Sequence, residues 1–385
     1  MSRYLIVTWD GAGNLVPTLG ITRTLVERGH DVRMLGHDTI AERCGDMGAR
    51  FIPLTQGIGW DAMDNPDDFE AEMKLLIEEL CFSSVIAQDL ARELDREAAD
   101  VVLVDHMLFT AIDAALASGT PTAMLCHTPY TMFRGGMIVE MLAPGLEIAN
   151  ARRAVLGLPA IGKLGDIHDA CELAIVAVPK EFEPDVPDAA NVLRIGPVLD
   201  APPLSREIDE VDVSDGTTPL VLVSLSTMEQ GQADLLQRCV DAVAQLPVRA
   251  IVTTGVSIDP ASVNAGSNTQ VVRYVPHADI LPSTSLVITH AGLGTTMAAL
   301  GRGVPLLCTP MGRDQFFNAE QVQALGAGRM LMPDSSSDEI ARAATDILED
   351  DRFKAGAKQM AVAIGGYGGA AQAADALEAL VVRTD

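Results

Sequence analysis

The chain has 385 residues, 48% of them apolar and 21% charged, and carries a formal net charge of −26. That length exceeds one ordinary hydrophobic core and predicts two domains of roughly 150–200 residues each. So acidic a balance repels a phosphate polymer and an anionic bilayer, which argues against nucleic-acid and membrane partners. No apolar run reaches the ~18 residues of a spanning helix.

The opening MSRYLIVTWDG runs straight into a strand, with no signal-type apolar region and no cleavage site. The six cysteines (Cys44, Cys81, Cys126, Cys171, Cys239 and Cys308) are scattered, without C-x-x-C or zinc-ligand spacing. Together these predict a cytoplasmic protein with buried, reduced thiols and no metal. RYLIVTW reads as the first strand and VPTLGITRTLVERG as a helix closing at Gly29. HDVRML, RFIPL, VVLVD, PTAMLCH, LAIVAV and NVLRIG follow as strands, most of them separated by helix-length segments. Continuous Val/Ile/Leu runs of this kind suit parallel strands covered on both faces, and the alternation implies right-handed βαβ units.

From about Gly196 to Pro219 the chain turns rich in Pro, Asp and Ser and reads as a linker. A second series then begins: LVLVSLS, VRAIVTTG, TQVVRYV, SLVITHAG, VPLLCTP and GRMLMP. SSSDEIARAATDIL carries a capping box from Ser336 to Glu339, and AIGGYGGAA bends the chain before a last helix, Gln372 to Val382. The expected fold is α/β, two facing doubly wound Rossmann-like domains. The expected boundaries are 1–200, a linker 201–218, 219–365, and a terminal helix 366–385 returning to the first domain. In such domains ligands sit beyond the carboxyl ends of the strands.

His290 lies at such an end, in LVITHAGLGTTMAAL. Gly292 and Gly294 allow close backbone approach, Thr295 and Thr296 offer hydroxyls, and a helix N-terminus points unpaired N–H groups outward, an arrangement suited to a phosphate. A lone histidine at a strand end is otherwise a structural residue. In PMGRDQFFNAEQVQALGAG, Asp314 and Gln315 put a carboxylate beside a carboxamide, suited to vicinal hydroxyls; the plain alternative is that Asp314 only caps the helix.

These pieces together resemble a family. His290-Ala-Gly-Leu-Gly-Thr-Thr, Gly303-Val-Pro, Pro310, Asp314-Gln315, Asn318-Ala and Gly326-Ala-Gly match the donor signature of GT-B glycosyltransferases, most closely the inverting group that glycosylates natural products in actinobacteria. The run YVPHADILPSTSLVITHAG, including His277, fits the stretch before that signature, and GNLVPTLGITRTLVERGHDV resembles the family's first βα turn. The resemblance implies a first domain that binds the acceptor and a second that binds a nucleotide sugar as co-substrate, with no tightly bound cofactor. Tyr274 would stack on the nucleobase and the Val275 backbone would pair with its edge. His290, Gly292, Gly294, Thr295 and Thr296 would hold the diphosphate, approached by Ser226 and Thr227 of SLST. Asp314 and Gln315 would hold the sugar. Ser226 stands where the family usually has glycine.

Two departures matter. Users of uridine-type donors commonly carry a glutamate eight residues after the histidine, for the ribose hydroxyls; here that position is Ala298. This favours a thymidine diphosphate sugar over a uridine one. The family's usual general base, a histidine in the first βα turn, is replaced by Asn14, which cannot take up a proton usefully and suits a helix N-cap. Asp105 matches the carboxylate that normally orients that histidine. Asp10 and Asp105, strand-end carboxylates whose pKa burial could raise, are the first replacements. His106 follows, one position past Asp105 and so expected to point away, and His127 ends another strand. Trp60 and His127 are candidate acceptor-pocket residues, Trp60 in a loop leading to an acidic helix, where such a residue is otherwise simply core.

The expected activity is metal-independent transfer of a hexose or deoxyhexose from a nucleoside-diphosphate sugar to a small apolar acceptor; a homodimer is compatible with this. Two other readings stand beside it. One is a catalytically silent sugar-nucleotide binder, motivated by Asn14. The other is an NAD-dependent oxidoreductase, motivated by the GAGN after the first strand, though Val16 replaces the third glycine of that fingerprint.

Overall fold

The computed structural model describes residues 1–11, 13–57, 69–135, 137–183, 187–199, 208–213, 216–226 and 230–382. The chain divides into two compact units, Met1–Ala201 with Tyr367–Asp385, and Pro202–Gly366.

The first unit is built on seven strands: β1 (Arg3–Val7), β2 (Asp31–Gly36), β3 (Arg50–Pro53), β4 (Val101–Asp105), β5 (Thr122–Cys126), β6 (Leu173–Val176) and β7 (Val192–Arg194). Their spatial order is β3-β2-β1-β4-β5-β6-β7, all parallel. The second unit has six: β8 (Leu220–Ser224), β9 (Arg249–Thr253), β10 (Thr269–Val272), β11 (Thr284–Thr289), β12 (Leu306–Cys308) and β13 (Gly328–Met330), ordered β10-β9-β8-β11-β12-β13 and again parallel. The fold is α/β, a pair of Rossmann-like sheets. Apolar runs fill the central strands, and every residue of β4, β5 and β8 is buried. Helices cover both faces of such a sheet, so no polar face is needed.

In each sheet the strand order reverses once, between β1 and β4 and between β8 and β11. The tops of those strands diverge and leave room for a ligand. In the second unit the core beneath this point gathers Val221, Val223, Leu236, Val240, Ile288 and Ile340, among others. The helix Ser337–Glu349 starts with the reciprocal capping box of Ser336 and Glu339. All six cysteines are buried free thiols, and burial pushes Cys44, Cys126, Cys239 and Cys308 up to about 12, which keeps them inert.

The last helix, Gly369–Val382, lies against the first, Leu15–Glu27, within the first unit. Arg28 pairs with Asp375 at 2.7 Å and with Glu378 at 3.1 Å, and His30 Nε2 lies 2.8 Å from Glu378. The Tyr367 hydroxyl accepts from the Lys180 N–H and donates to Glu181, and its ring packs where a Cβ on Gly196 would stand. Among the described residues no helix is long and apolar enough to cross a membrane.

Candidate active site

In the second unit the loop after β11 is shaped by its own side chains. Ala291 is buried with φ of 65°, a left-handed conformation that costs a residue with a Cβ about 1–2 kcal/mol. Arg313, with φ of 56°, is the other such residue among those described, and it sits in the neighbouring loop after β12. Two strained positions beside two helix starts mark a loop pair held for a purpose other than stability.

The His290 ring folds back over Gly292: a Cβ there would stand 2.5 Å from Nε2. Gly292 is therefore required by the histidine. A Cβ on Gly294 would meet only open space, so that glycine is not required by anything inside the unit. The helix Leu293–Gly301 begins at Gly292 with no side-chain cap, and its first ladder bond is Thr296 N–H to the Gly292 carbonyl. The N–H groups of Leu293, Gly294 and Thr295 thus precede the ladder and point out of the helix end. The Thr296 hydroxyl is buried without a hydrogen-bond partner. Burial lowers the His290 imidazole to about 4, with Arg313 adding to the effect, so the ring is neutral at pH 7 and offers one N–H.

Carboxamides knit the loops of this unit together. The Gln315 Oε1 accepts from the Met311 and Gly312 N–H groups at 2.8 and 3.2 Å, while its Nε2 donates to Gln230. Gln230 in turn donates to the Ser226 hydroxyl at 2.7 Å. Asn318 donates to the Ala291 carbonyl and to Asp314, both at 2.9 Å. Asp314 makes no side-chain cap bond at the Gln315–Ala324 helix; its carboxylate faces Asn318 instead. Gln230, Asn318 and Arg313 are the residues that sequence reasoning passed over as site members. Only Asn318 had a signal there, inside the family motif.

Tyr274 is half-buried just past β10. Asp209 fixes its backbone by accepting from the Arg273 and Tyr274 N–H groups and donating its own N–H to the Tyr274 carbonyl. Val275 is buried. His277 lies 3.5 Å from the Ser224 hydroxyl and is lowered to about 4 by burial. Thr227 and Trp60 lie outside the described residues.

The first unit holds a different cluster at its own switch point. Asn14 is not the helix cap its residue type suggests: it makes no side-chain cap bond. Its Oδ1 accepts from the Gly11 N–H, and its Nδ2 donates to the Trp9 carbonyl, both at 2.9 Å, and to Asp105 at 3.3 Å. The Trp9 indole lies over Gly11, where a Cβ would be 2.3 Å from the ring.

Asp105 ends β4 fully buried and also accepts from the Met107 N–H at 3.0 Å. Burial pushes its carboxyl up, but His127 and His106 outweigh burial and hold it well below the usual carboxylate range. The expectation that burial would raise Asp105 into a useful base is therefore reversed; it stays ionised and binds protons poorly. His106 does not point away from it. The strand ends at Asp105, the alternation stops with it, and the His106 ring turns inward to stand 3.5 Å from the carboxylate. Its nitrogens are also 3.2 Å from the Leu125 carbonyl and 3.1 Å from the Thr128 hydroxyl, and burial lowers its pKa, so it is a core histidine. Asp10, half-buried three residues past β1, offers its N–H to His37.

Residues 237–380 match the family described as the erythromycin biosynthesis protein CIII-like C-terminal domain. The NDP-glycosyltransferase YjiC of Bacillus licheniformis is 28% identical over 385 residues, covering 96% of this chain and 95% of that one. Among solved structures, the kitacinnamycin glycosyltransferase superposes with a TM-score of 0.83 at 24% identity, over 98% of this chain and 99% of the other. VinC, solved in complex with DTDP, gives 0.77 at 18%, over 99% and 100%. The fold is that of the GT-B glycosyltransferases. Within that class the chain is a glycosyltransferase of the natural-product type, with residues 237–380 similar to the erythromycin CIII-like domain.

Proposed function

We propose that the protein is an inverting, metal-independent transferase that moves a sugar from a nucleoside diphosphate to a small apolar acceptor, with a thymidine diphosphate sugar preferred over a uridine one. The carrying observation is the end of β11 in the second unit. A neutral His290, three N–H groups ahead of the helical ladder and the buried, unpartnered Thr296 hydroxyl are all donors. Donors fixed before the reaction stabilise the charge that develops on a leaving diphosphate, and the helix dipole adds to them. They supply that stabilisation without a cation.

Tyr274, held by Asp209, takes the base; Ser226 approaches the phosphates; Asp314 and Gln315 take the sugar. Because Gln315 Oε1 is already committed to two backbone N–H groups, Asp314 is the acceptor of sugar hydroxyls and Gln315 mainly sets the shape of the loop. Ala298 in place of an acidic residue removes a partner for a ribose 2′-hydroxyl. The complex of VinC with DTDP supports the same donor class. The acceptor belongs to the first unit, and Asn14 in its first turn is what still favours a silent binder as the second reading.

Calorimetric titration with dTDP, UDP and NAD, and with His290→Ala as control, tests this. Tight dTDP binding lost in the variant is expected. UDP binding more tightly would overturn the donor preference, and NAD binding alone would overturn the activity. Turnover unaffected by EDTA is expected; its loss would overturn metal independence. Failure to release nucleoside diphosphate with any acceptor would leave the silent binder.

A further inference from the structure

We infer that His127 is the general base of the transfer, positioned by Asp105, which is itself held by Asn14; this rests on the transferase reading above. β5 lies beside β4, and Leu125 is the register partner of Asp105. His127 follows the last residue of β5, at the top of the sheet beside the end of β4. Its Nε2 stands 3.0 Å from Asp105 Oδ2, with the imidazole 9% exposed and the carboxylate 1%. Nε2 is buried, and its N–H is out of line for a straight hydrogen bond. Such contacts are commonly misaligned in ligand-free sites and tighten with substrate.

The rest of the cluster is already used. His106 packs edge-on to His127 at 4.4 Å between ring centres and has both nitrogens near acceptors of its own. Asn14 is an amide whose oxygen and nitrogen are committed to the turn. Asp105 is held ionised. Trp9 flanks the His127 ring at 6.3 Å. His127 Nδ1, by contrast, has no hydrogen-bond partner among the described residues.

Asp105 favours the tautomer with the proton on Nε2, and this leaves Nδ1 with its lone pair to receive a proton. In the transfer, the acceptor O–H gives its proton to Nδ1. The acceptor oxygen forms a bond to the anomeric carbon, the bond from that carbon to the phosphate oxygen breaks, and its electron pair leaves with the nucleoside diphosphate. The imidazolium so formed faces Asp105, which stabilises it without taking the proton. Among the described residues, the charged and titratable groups seen against His127 are Asp105 at the end of β4 and His106 in the turn after it. The ligand atoms of Asp105, His106 and His127 also lie within 4.8 Å of one another, as a metal site requires, so metal content belongs to the test.

The test uses the full chain, with His127→Gln, Asp105→Asn and Asp10→Asn. Nitrogen NMR of histidine-labelled protein, with His127 assigned by its loss in His127→Gln, reads the tautomer directly. Expected is an Nε2–H tautomer that Asp105→Asn no longer fixes. The opposite tautomer, or one unchanged in Asp105→Asn, overturns the inference, as does stoichiometric metal in extensively dialysed protein.

Diphosphate release from dTDP-glucose is then followed with water and with phenols of graded acidity. His127→Gln is expected to slow water and weakly acidic phenols by roughly 10²–10⁴-fold and to spare phenols already ionised at the assay pH. Equal loss across the series, or the same pattern in Asp10→Asn with none in His127→Gln, overturns it. A wild-type circular-dichroism spectrum and unfolding midpoint, with undiminished dTDP binding, show that His127→Gln is folded in both units. If it does not fold, Asp105→Asn carries the kinetic test and must lower the rate with weakly acidic phenols while sparing ionised ones. Wild-type protein that binds no nucleotide overturns the transferase reading itself, while the NMR result still reports on the dyad.

Discussion

At the β1/β4 switch point a carboxylate is buried among imidazoles and an amide; at the β8/β11 switch point the groups left over are donors. Both places come from the same topology, and the upper residues of the strands beneath them are all buried. The difference is made in the first residues past the strand ends. In the first unit two of those residues are already committed, Asn14 to Gly11, Trp9 and Asp105, and His106 to Leu125 and Thr128. In the second, Ala291 and Arg313 are held with positive φ, and Thr296 is left without a partner. One switch point is built to hold charge and the other to receive it. In a chain of net charge −26, the receiving site works by local dipoles against an opposing overall field.

The sharpest break of this contrast is His290→Ala, expected to weaken dTDP binding roughly 100-fold, as for loss of a hydrogen bond to a charged group, while leaving the first unit intact. Gly292→Ala should do nearly the same by displacing the ring, and titration calorimetry reads both. Because His290 is neutral, affinity should not follow an imidazole titration between pH 6 and 8.

Next in size is Asn14→Asp. It places a second carboxylate about where an amide now donates to Asp105 and leaves the Trp9 carbonyl without that donor. A loss of about 2–4 kcal/mol in stability at pH 7 is expected, shrinking as the pH falls and the pair takes up a proton. Denaturant unfolding at pH 7 and pH 5 checks the magnitude and the sign.

Acid should act on both units through their buried histidines. His168 is lowered to about 3, and His277 and His290 to about 4, all chiefly by burial. A histidine with a depressed folded pKa contributes stability that is complete above about pH 6.5 and is lost as the pH falls toward the folded value, because the unfolded chain binds the proton first. Melting temperatures should therefore fall between pH 6.5 and 4; a flat profile over that window would show these rings to be solvated.

The smallest effect sharpens the comparison. Thr296→Val removes a buried hydroxyl that no protein group answers, so stability should hold or rise slightly, while dTDP affinity drops about tenfold. Equal affinity would mean the hydroxyl serves neither protein nor ligand.

Every strand among the described residues was legible in the sequence, because runs such as VVLVD and LVLVS suit burial on both faces of a covered parallel sheet. The order of the strands was not. That Asp105 and His127 meet depends on β5 neighbouring β4, which no local pattern states, so the two residues read as separate strand ends. Strand parity misled for His106, since the rule lapses where the strand stops. Asn14 read as a cap because capping is the commonest use of its residue type, and only the meeting of Trp9, Gly11 and Asp105 reveals its actual role. Gln230 carries no motif at all; its part follows from lying between Ser226 and Gln315 in space.

The pairing of the Gly369–Val382 helix with the Leu15–Glu27 helix has a consequence for biosynthesis. Arg28 and Asp375 are 347 residues apart, and the whole second unit is synthesised between them. At a typical 5–20 residues per second, the ribosome needs tens of seconds to cover that distance. The second unit can close its sheet as soon as it emerges, whereas the first must wait with one helix face bare. Nascent chains stalled before residue 367 should therefore show a protease-resistant second unit and a first unit that is still open to cleavage and to chaperones.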